Sequence, residues 1–208
     1  MKMDDELQGF KPESLSLYVI IEPVLNEISS GPDAQTLRAA LKKAERHNPG
    51  LTKDIVMGIL KAKGVKVDLT KVLLKLCACE SEEYTITRRE PQFVRLQDQS
   101  QALKMILATL PDVAVDRPRF LQTIKEIASG IKEMLEAVQV LFRHHEAFAN
   151  PDKRKALDGH KRDFIRSSKG FSDTLKMYFR DGNIQVVYAS AIHLVTETNT
   201  LLKLLRNL

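Results

Sequence analysis

The chain has little of the material from which most catalytic and metal sites are built. Its nine glycines are scattered singly, so no glycine-rich loop is available to cradle a phosphate. Neither an HExxH sequence nor a pair of CxxC sequences is present. The adjacent His144 and His145 cannot share a helix face, so a solvated helix end is favoured over a metal site that joins one of them with Glu146 and His160. We expect no enzyme, no metal and no cofactor.

Cysteine is scarce as well. Cys77 and Cys79 are the only two, and their spacing is too short for an ordinary disulfide framework, which predicts a reducing, intracellular setting. Oxidation or metal ligation by this pair is the alternative to incidental thiols, but no second ligand pair accompanies them.

Long apolar runs and a strong charge of one sign are also missing. The strongest apolar run, residues 17–21, stops at Glu22 and Pro23, and no signal sequence precedes it, so no membrane span is predicted. The net charge of +5 comes entirely from residues 92–208, where 18 basic residues face 13 acidic ones, since residues 1–91 have 14 of each. This excess is too small and too mixed with acids to predict a nucleic-acid partner.

Apolar residues recur at helical spacing along most of the chain. Residues 14–78 form several short amphipathic segments, in which Pro23 either kinks one helix or divides two, and Thr52 is a candidate N-cap after the turn at 48–50. A unit of about sixty residues obtains little stability from one core, so association through its apolar face is at least as favoured as a monomeric core.

Residues 80–91 break the helical pattern and predict a linker, and four long amphipathic helices follow. Short loops between such helices predict an up-and-down four-helix bundle. We therefore divide the chain into residues 1–66, a short helix and linker at 67–91, and a bundle at 92–208. Spacings of four and three continue along the second bundle helix, whose predicted buried seam is Phe120, Ile124, Ile127, Ile131, Met134, Val138 and Leu141.

Two lysine pairs repeat one spacing on neighbouring predicted helices. Residues 125–132 have a lysine at each end with Ala128 between, and residues 169–176 repeat this with Ser172. Seven residues are close to two turns, so each pair shares a helix face. If the helices are antiparallel neighbours, they form a groove with a small-residue floor and basic rims, suited to an acidic amphipathic helix, although solvated lysines are the alternative. The predicted groove residues are Lys125, Ala128, Lys132, Lys169, Ser172 and Lys176.

Three long segments resemble those of a known family: NPGLTKDIVMGIL, RFLQTIKEIASGIKE and SKGFSDTLKMYF. From about Leu15 onward the chain is similar to the family of cerebral cavernous malformation protein three, also called programmed cell death protein ten. The resemblance implies an all-α fold with an N-terminal helical dimerisation domain and a C-terminal four-helix bundle similar to focal adhesion targeting domains.

The resemblance also implies partners. Leu37, Ala40, Ile59 and Leu60 would form the interface of a homodimer or of a heterodimer with germinal-centre kinases of the third subgroup. The groove would bind leucine-aspartate helices of paxillin and of the cavernous malformation scaffold partner, and also striatin. Such an adaptor would link a kinase to striatin-phosphatase assemblies in cytoskeletal, junctional and cell-survival signalling, in the cytoplasm and at the periphery of the Golgi and plasma membrane.

Three features depart from this family, and the first is the divergent N-terminal dozen residues. The segment 144–155 between the second and third bundle helices differs, and Gly130 and Gly170 replace larger residues close to the groove, where each is expected to cost its helix about 1 kcal/mol relative to Ala. The alternative function is a peripheral membrane module whose basic bundle face binds acidic phosphoinositides.

Overall fold

The computed structural model describes residues 14–28, 31–79 and 84–207, and within these ranges all regular secondary structure is helical. This confirms the all-α fold. The helices are α1 (Glu22–Ile28), α2 (Pro32–His47), α3 (Leu51–Ala62), α4 (Leu69–Ala78), α5 (Pro91–Val113), α6 (Arg117–His144), α7 (Pro151–Asp181) and α8 (Ile184–Arg206).

The chain divides into two compact units, the first ending at Leu76 and the second beginning at Cys77. This division falls within α4. Residues 84–90, which follow α4, form no α-helix, and the acidic residues at 80–83 of the proposed linker lie outside the described ranges. The three-part division drawn from the sequence stays a prediction.

Pro23 lies within one continuous helical segment of the first unit. The turn before it, Leu17–Ile21, is π-helical, and the N–H of Glu22 donates to the carbonyl of Leu17, five residues back. A proline ring clashes with the carbonyl four residues earlier and cannot donate a hydrogen bond. The wider turn relieves this conflict, so Pro23 modifies a helix instead of dividing two.

Glu45, near the end of α2, caps the start of α3. Its side chain is buried, and its two carboxylate oxygens accept hydrogen bonds from the N–H groups of Gly50 at 2.6 Å and Thr52 at 2.8 Å. Burial raises the pKa of Glu45, but the hydrogen bonds from Thr52 and Gly50 together outweigh it and leave the pKa below its ordinary value. The N-cap is Gly50, with a φ of 95°, so the expectation that Thr52 caps this helix is wrong.

The second unit contains the predicted four-helix bundle. Helix α5 packs along α6, α7 packs along α8, and α5 also contacts α8. Large side chains fill the centre because each helix presents apolar residues every three or four positions. Fully buried examples are Phe93, Leu96, Leu103 and Leu107 of α5, Phe120, Ile127, Met134 and Leu141 of α6, Leu157 and Phe164 of α7, and Val187, Ala191, Leu194 and Leu201 of α8.

Helix α6 meets α5 through a small residue that the apolar pattern did not predict. Gly130 is buried, and a Cβ added to it would lie 3.3 Å from Cδ1 of Leu103, which is closer than usual van der Waals contact. Ile124 and Ile131, which were predicted in the buried seam, are only partly buried. Gly130 therefore faces α5 and not the groove, and the cost to α6 expected from its helix propensity stays a prediction.

The divergent connection between α6 and α7 is an ordered turn. A single 3₁₀ turn, Glu146–Ala149, buries Phe148, and the side chain of His145 accepts a hydrogen bond from the N–H of Ala147. Asn150 then caps α7 by accepting from the N–H groups of Asp152 and Lys153. Because this connection is short, α6 and α7 run antiparallel.

Candidate partner-binding surfaces

All six predicted groove residues are exposed, three on α6 and three on α7. Two contacts between these helices fix their register. The rings of Phe120 and Tyr178 lie 5.4 Å apart near one end, and Lys161 Nζ donates to Gln139 Oε1 towards the other. Interpolation between these contacts places Ala128 of α6 at about the same level as Ser172 of α7.

An open cavity of about 420 Å³ lies between α6 and α7. It forms because these helices approach each other closely at few points, unlike the α5–α6 and α7–α8 pairs. Of the six predicted residues, Ala128 and Lys132 line the cavity and the other four do not. Its lining is Ala128, Ile131, Lys132, Leu135, Glu136, Gln139, Lys161 and Ile165.

Exposed apolar side chains continue this cavity along the two helices. On α7, Ile165 and Phe179 flank Ser172 at seven-residue distances and are 44% and 50% exposed. On α6, Leu121 stands in the same relation to Ala128 and is 41% exposed. The resulting surface, which we call the α6–α7 groove, combines apolar walls with small residues at its middle.

The charges beside the α6–α7 groove are mixed. Lys132 Nζ lies 3.8 Å from Glu136 Oε1, and Lys176 Nζ lies 2.8 Å from Asp173 Oδ1. The hydrogen bond from Lys176, its positive charge and the charge of Lys169 lower the pKa of Asp173. This carboxyl group is therefore ionised at neutral pH.

Sequence reasoning missed Lys161, Gln139 and Glu136 as residues of this surface. The sequence alone places Ala128 and Leu135 on one helix face, because seven residues separate them. The meeting of Lys161 with Gln139 depends on the register between two helices, which spacing within each helix does not fix.

The residues predicted for the dimer interface lie on α2 and α3. Leu37 is 48% exposed and Ile59 is 56% exposed, Ala40 is exposed, and Leu60 is partly buried. Other large apolar side chains of the first unit are exposed too, which makes this unit a candidate for an interaction surface. They are Tyr18, Val24, Ile28, Ile55, Met57, Val65, Val67 and Leu76.

Reactive side chains are few in the described ranges. There, no three His, Cys, Asp or Glu side chains come together in an arrangement that could hold a metal ion. Burial raises the pKa of Cys77 to about 12 and so opposes formation of its thiolate, while burial lowers the pKa of His160. In the same ranges no helix is both long and apolar enough to cross a membrane.

Comparison with known proteins places these surfaces in a family. The family model for the dimerisation domain of programmed cell death protein 10 matches residues 11–66, and the model for its C-terminal part matches residues 67–158. The second match ends within α7, before Lys169. The programmed cell death protein 10 homolog of Caenorhabditis elegans is 32% identical over 170 residues, which cover 80% of this chain and 77% of the relative. The chain therefore belongs to the programmed cell death protein 10 family.

Proposed function

We propose that the protein is a non-enzymatic adaptor that joins two kinds of partner. Its first unit pairs with a second copy or with a germinal-centre kinase of the third subgroup. Its bundle holds an acidic amphipathic helix, such as the leucine-aspartate helices of paxillin or of the cavernous malformation scaffold partner, or binds striatin. The adaptor thereby brings a kinase to striatin-phosphatase assemblies in cytoskeletal, junctional and cell-survival signalling.

The α6–α7 groove is the observation that carries this proposal. Ala128 and Ser172 are small enough to let the backbone of a partner helix approach, and Leu121, Ile165 and Phe179 offer apolar contacts to its leucines. Each large apolar side chain that becomes fully buried contributes roughly 1.5–3 kcal/mol, so a few leucines supply most of the attraction. The lysines then favour partners with acids beside those leucines.

The first unit supports the pairing half of the proposal. The family model matched over residues 11–66 is a dimerisation domain, and the exposed Leu37 and Ile59 lie within that range. A second copy or a kinase tail would cover the same apolar face. The two would therefore compete for it.

The groove is tested by placing a charge at its floor in the full chain. Ala128→Asp should weaken binding of a synthetic leucine-aspartate peptide at least about tenfold, because a docked helix would desolvate the new carboxylate, which also neutralises the neighbouring Lys125 and Lys132 and blocks close approach. Ala102→Asp, on the exposed surface of α5, is the matched control and should leave the affinity unchanged. Calorimetric titration measures both, and an unaltered affinity in the Ala128 variant rejects the groove.

The same variants separate peptide docking from phosphoinositide binding. Lys132→Asp combined with Lys176→Asp should abolish both activities, since both need positive charge. Vesicles that contain an acidic phosphoinositide should still bind the Ala128→Asp variant if the basic face binds lipid. Loss of vesicle binding only in the lysine variant, together with no peptide binding by the unmodified chain, would favour the membrane function.

A further inference from the structure

Another open cavity lies at the end of the bundle where α6 and α7 are connected. Its volume is about 420 Å³, and its lining is Phe142, Pro151, Arg154, Lys155 and Asp158. The hydrogen bond between Lys161 and Gln139 lies one helical turn farther from the connection. It separates this cavity, which we call the connection pocket, from the cavity of the α6–α7 groove.

An aromatic side chain holds the guanidinium group of Arg154 in the connection pocket. Cζ of Arg154 lies 5.0 Å from the centre of the Phe142 ring, and the centre of that ring lies 5.8 Å from the ring centre of the buried Phe148. A guanidinium group stacked on a ring keeps its N–H groups available at its edge, where two of them can bind one anion together. Because the stack already orders this side chain, less freedom is lost when an anion binds.

The connection pocket has a net positive charge. The side chains of Arg154 and Lys155 form no hydrogen bond or ion pair with any residue that the structure describes. The acid that lines the pocket, Asp158, follows them by one helical turn and offsets part of their charge, but its Oδ2 also lies 3.2 Å from Nη2 of Arg162. Three cations therefore surround this one carboxylate.

Side chains, and not the start of α7, are available to an anion here. The N–H groups of Asp152 and Lys153 already donate to the side chain of Asn150. The donors that remain for a ligand belong to Arg154 and Lys155.

The lining also indicates which anion fits. A carboxylate brings one negative charge, whereas a phosphate monoester brings about 1.5 to 2 and has three acceptor oxygens, enough to engage Arg154 and Lys155 together. Phe142 and Pro151 form the apolar part of the lining and favour contact with an aromatic ring. The ring of an inositol phosphate has hydroxyl groups all round and gains little from such contacts, so a phosphate carried on an aromatic ring fits better.

We propose that the connection pocket binds a phosphotyrosine side chain of a partner protein. Arg154 receives the phosphate through two N–H groups and Lys155 adds a second positive charge, while the tyrosine ring packs against Phe142 and Pro151. The inference does not rest on the peptide binding proposed for the α6–α7 groove, because the two surfaces have different lining residues.

The first test uses three short peptides that differ only in a central phosphotyrosine, tyrosine or phosphoserine flanked by glycines. The full chain should bind the phosphotyrosine peptide with a Kd below about 1 mM and at least about tenfold more tightly than the tyrosine peptide. The phosphoserine peptide should bind about threefold more weakly than the phosphotyrosine peptide, because it has no ring. Calorimetric titration measures all three. No binding at about 1 mM, or equal affinity for any two of the peptides that include phosphotyrosine, would overturn the inference.

The second test changes the pocket. Arg154→Ala should weaken binding of the phosphotyrosine peptide at least about fivefold, and Arg154→Lys should weaken it less, because lysine keeps the charge but cannot bind two oxygens in parallel. Asp158→Asn should tighten binding about twofold. Arg95→Ala, exposed on α5, removes the same charge and is the matched control. Equal affinities of the Arg154→Ala and Arg95→Ala variants, with helical content unchanged by circular dichroism, would reject the pocket.

Two further measurements exclude other sites and ligands. Ala128→Asp should leave the affinity for the phosphotyrosine peptide unchanged, and an equal loss in this variant and in Arg154→Ala would place the peptide in the groove and contradict the inference. Vesicles that contain an acidic phosphoinositide provide the membrane comparison. If they lose binding to the Arg154→Ala variant while the phosphotyrosine peptide binds neither chain, the pocket is a lipid site and the inference is wrong.

Discussion

The bundle encloses Phe93, Leu103 and Phe164 completely, whereas the first unit leaves Leu37 and Ile59 between 48% and 56% exposed. Both units consist of amphipathic helices, so helical propensity does not explain the difference. The bundle helices have 23 to 31 residues and cover one another, while α2 and α3 have 16 and 12. Long helices let one chain cover its own apolar stripes, and the short ones leave part of theirs uncovered.

This difference gives the two surfaces different roles. A partner of the first unit covers side chains that would otherwise remain in water, each worth roughly 1.5–3 kcal/mol on full burial. A partner of the α6–α7 groove binds to a bundle whose own core is already buried without it. We therefore expect stable pairing at the first unit and reversible docking at the second.

The largest expected effect comes from charging the apolar face of the first unit. Leu37→Asp combined with Ile59→Asp should convert a dimer into a monomer and prevent kinase binding, because an interface would bury unpaired carboxylates. Light scattering measures the mass. An unchanged dimer mass contradicts the assignment of this interface.

A matched control for that experiment lies on α5. Val94 and Met105 are 44% and 54% exposed, similar to Leu37 and Ile59. Val94→Asp combined with Met105→Asp should leave the dimer intact if pairing belongs to the first unit. If this variant also dissociated, the assignment of pairing to the first unit alone would be contradicted.

A smaller effect distinguishes two glycines within the bundle. Gly130→Ala should destabilise by about 1 kcal/mol, because the added Cβ would lie 3.3 Å from Cδ1 of Leu103, which is fully buried and can move only by disturbing its own neighbours. At Gly170 an added Cβ meets nothing within 4 Å, so Gly170→Ala should stabilise by up to about 1 kcal/mol. Urea unfolding of the two variants measures both, and shifts of the same sign would show that α5 and α6 are less closely packed than described.

The smallest effect is acid sensitivity of the first unit. The folded pKa of Glu45 is lowered, so its stabilising contribution is present above the unfolded pKa of about 4.3 and is lost as the pH falls through the lower folded value. Glu45→Gln should lower the free energy of unfolding by about 1 kcal/mol at neutral pH. The variant should also lose less stability than the unmodified chain as the pH falls towards about 3. Thermal unfolding across this range measures both, and an identical pH dependence in the variant would exclude the cap as its source.

Much of the architecture could be predicted from the sequence, because the spacing of apolar residues is a property of each helix alone. The bundle, the stop of α7 at Gly182 with its φ of 74°, and the exposure of both lysine pairs follow from such local patterns. Local patterns failed where the partner lies elsewhere in the chain. In the sequence, Glu45 cannot be distinguished from other charged residues near a helix end. The close packing of Gly130 becomes evident only when the structure places Leu103 opposite it.

The groove residues illustrate the same limit. Ala128 and Lys132 were predicted because the spacing of residues 125–132 recurs at residues 169–176. The ion pair from Lys132 to Glu136 could have been read from a spacing of four, but its presence in the cavity depends on how α6 is rotated about its axis. Lys161 lines the cavity because of the register between α7 and α6, which the sequence does not determine.

The contacts at the two ends of the α6–α7 groove have a consequence for how a partner arrives. The Phe120–Tyr178 rings and the Lys161–Gln139 hydrogen bond hold the helices together on either side of an open middle. The width of the groove is thus set by the folded bundle before anything binds. A docking helix loses its own freedom but requires little rearrangement of the receiving surface, so differences in affinity among partners should appear mainly in how quickly they leave.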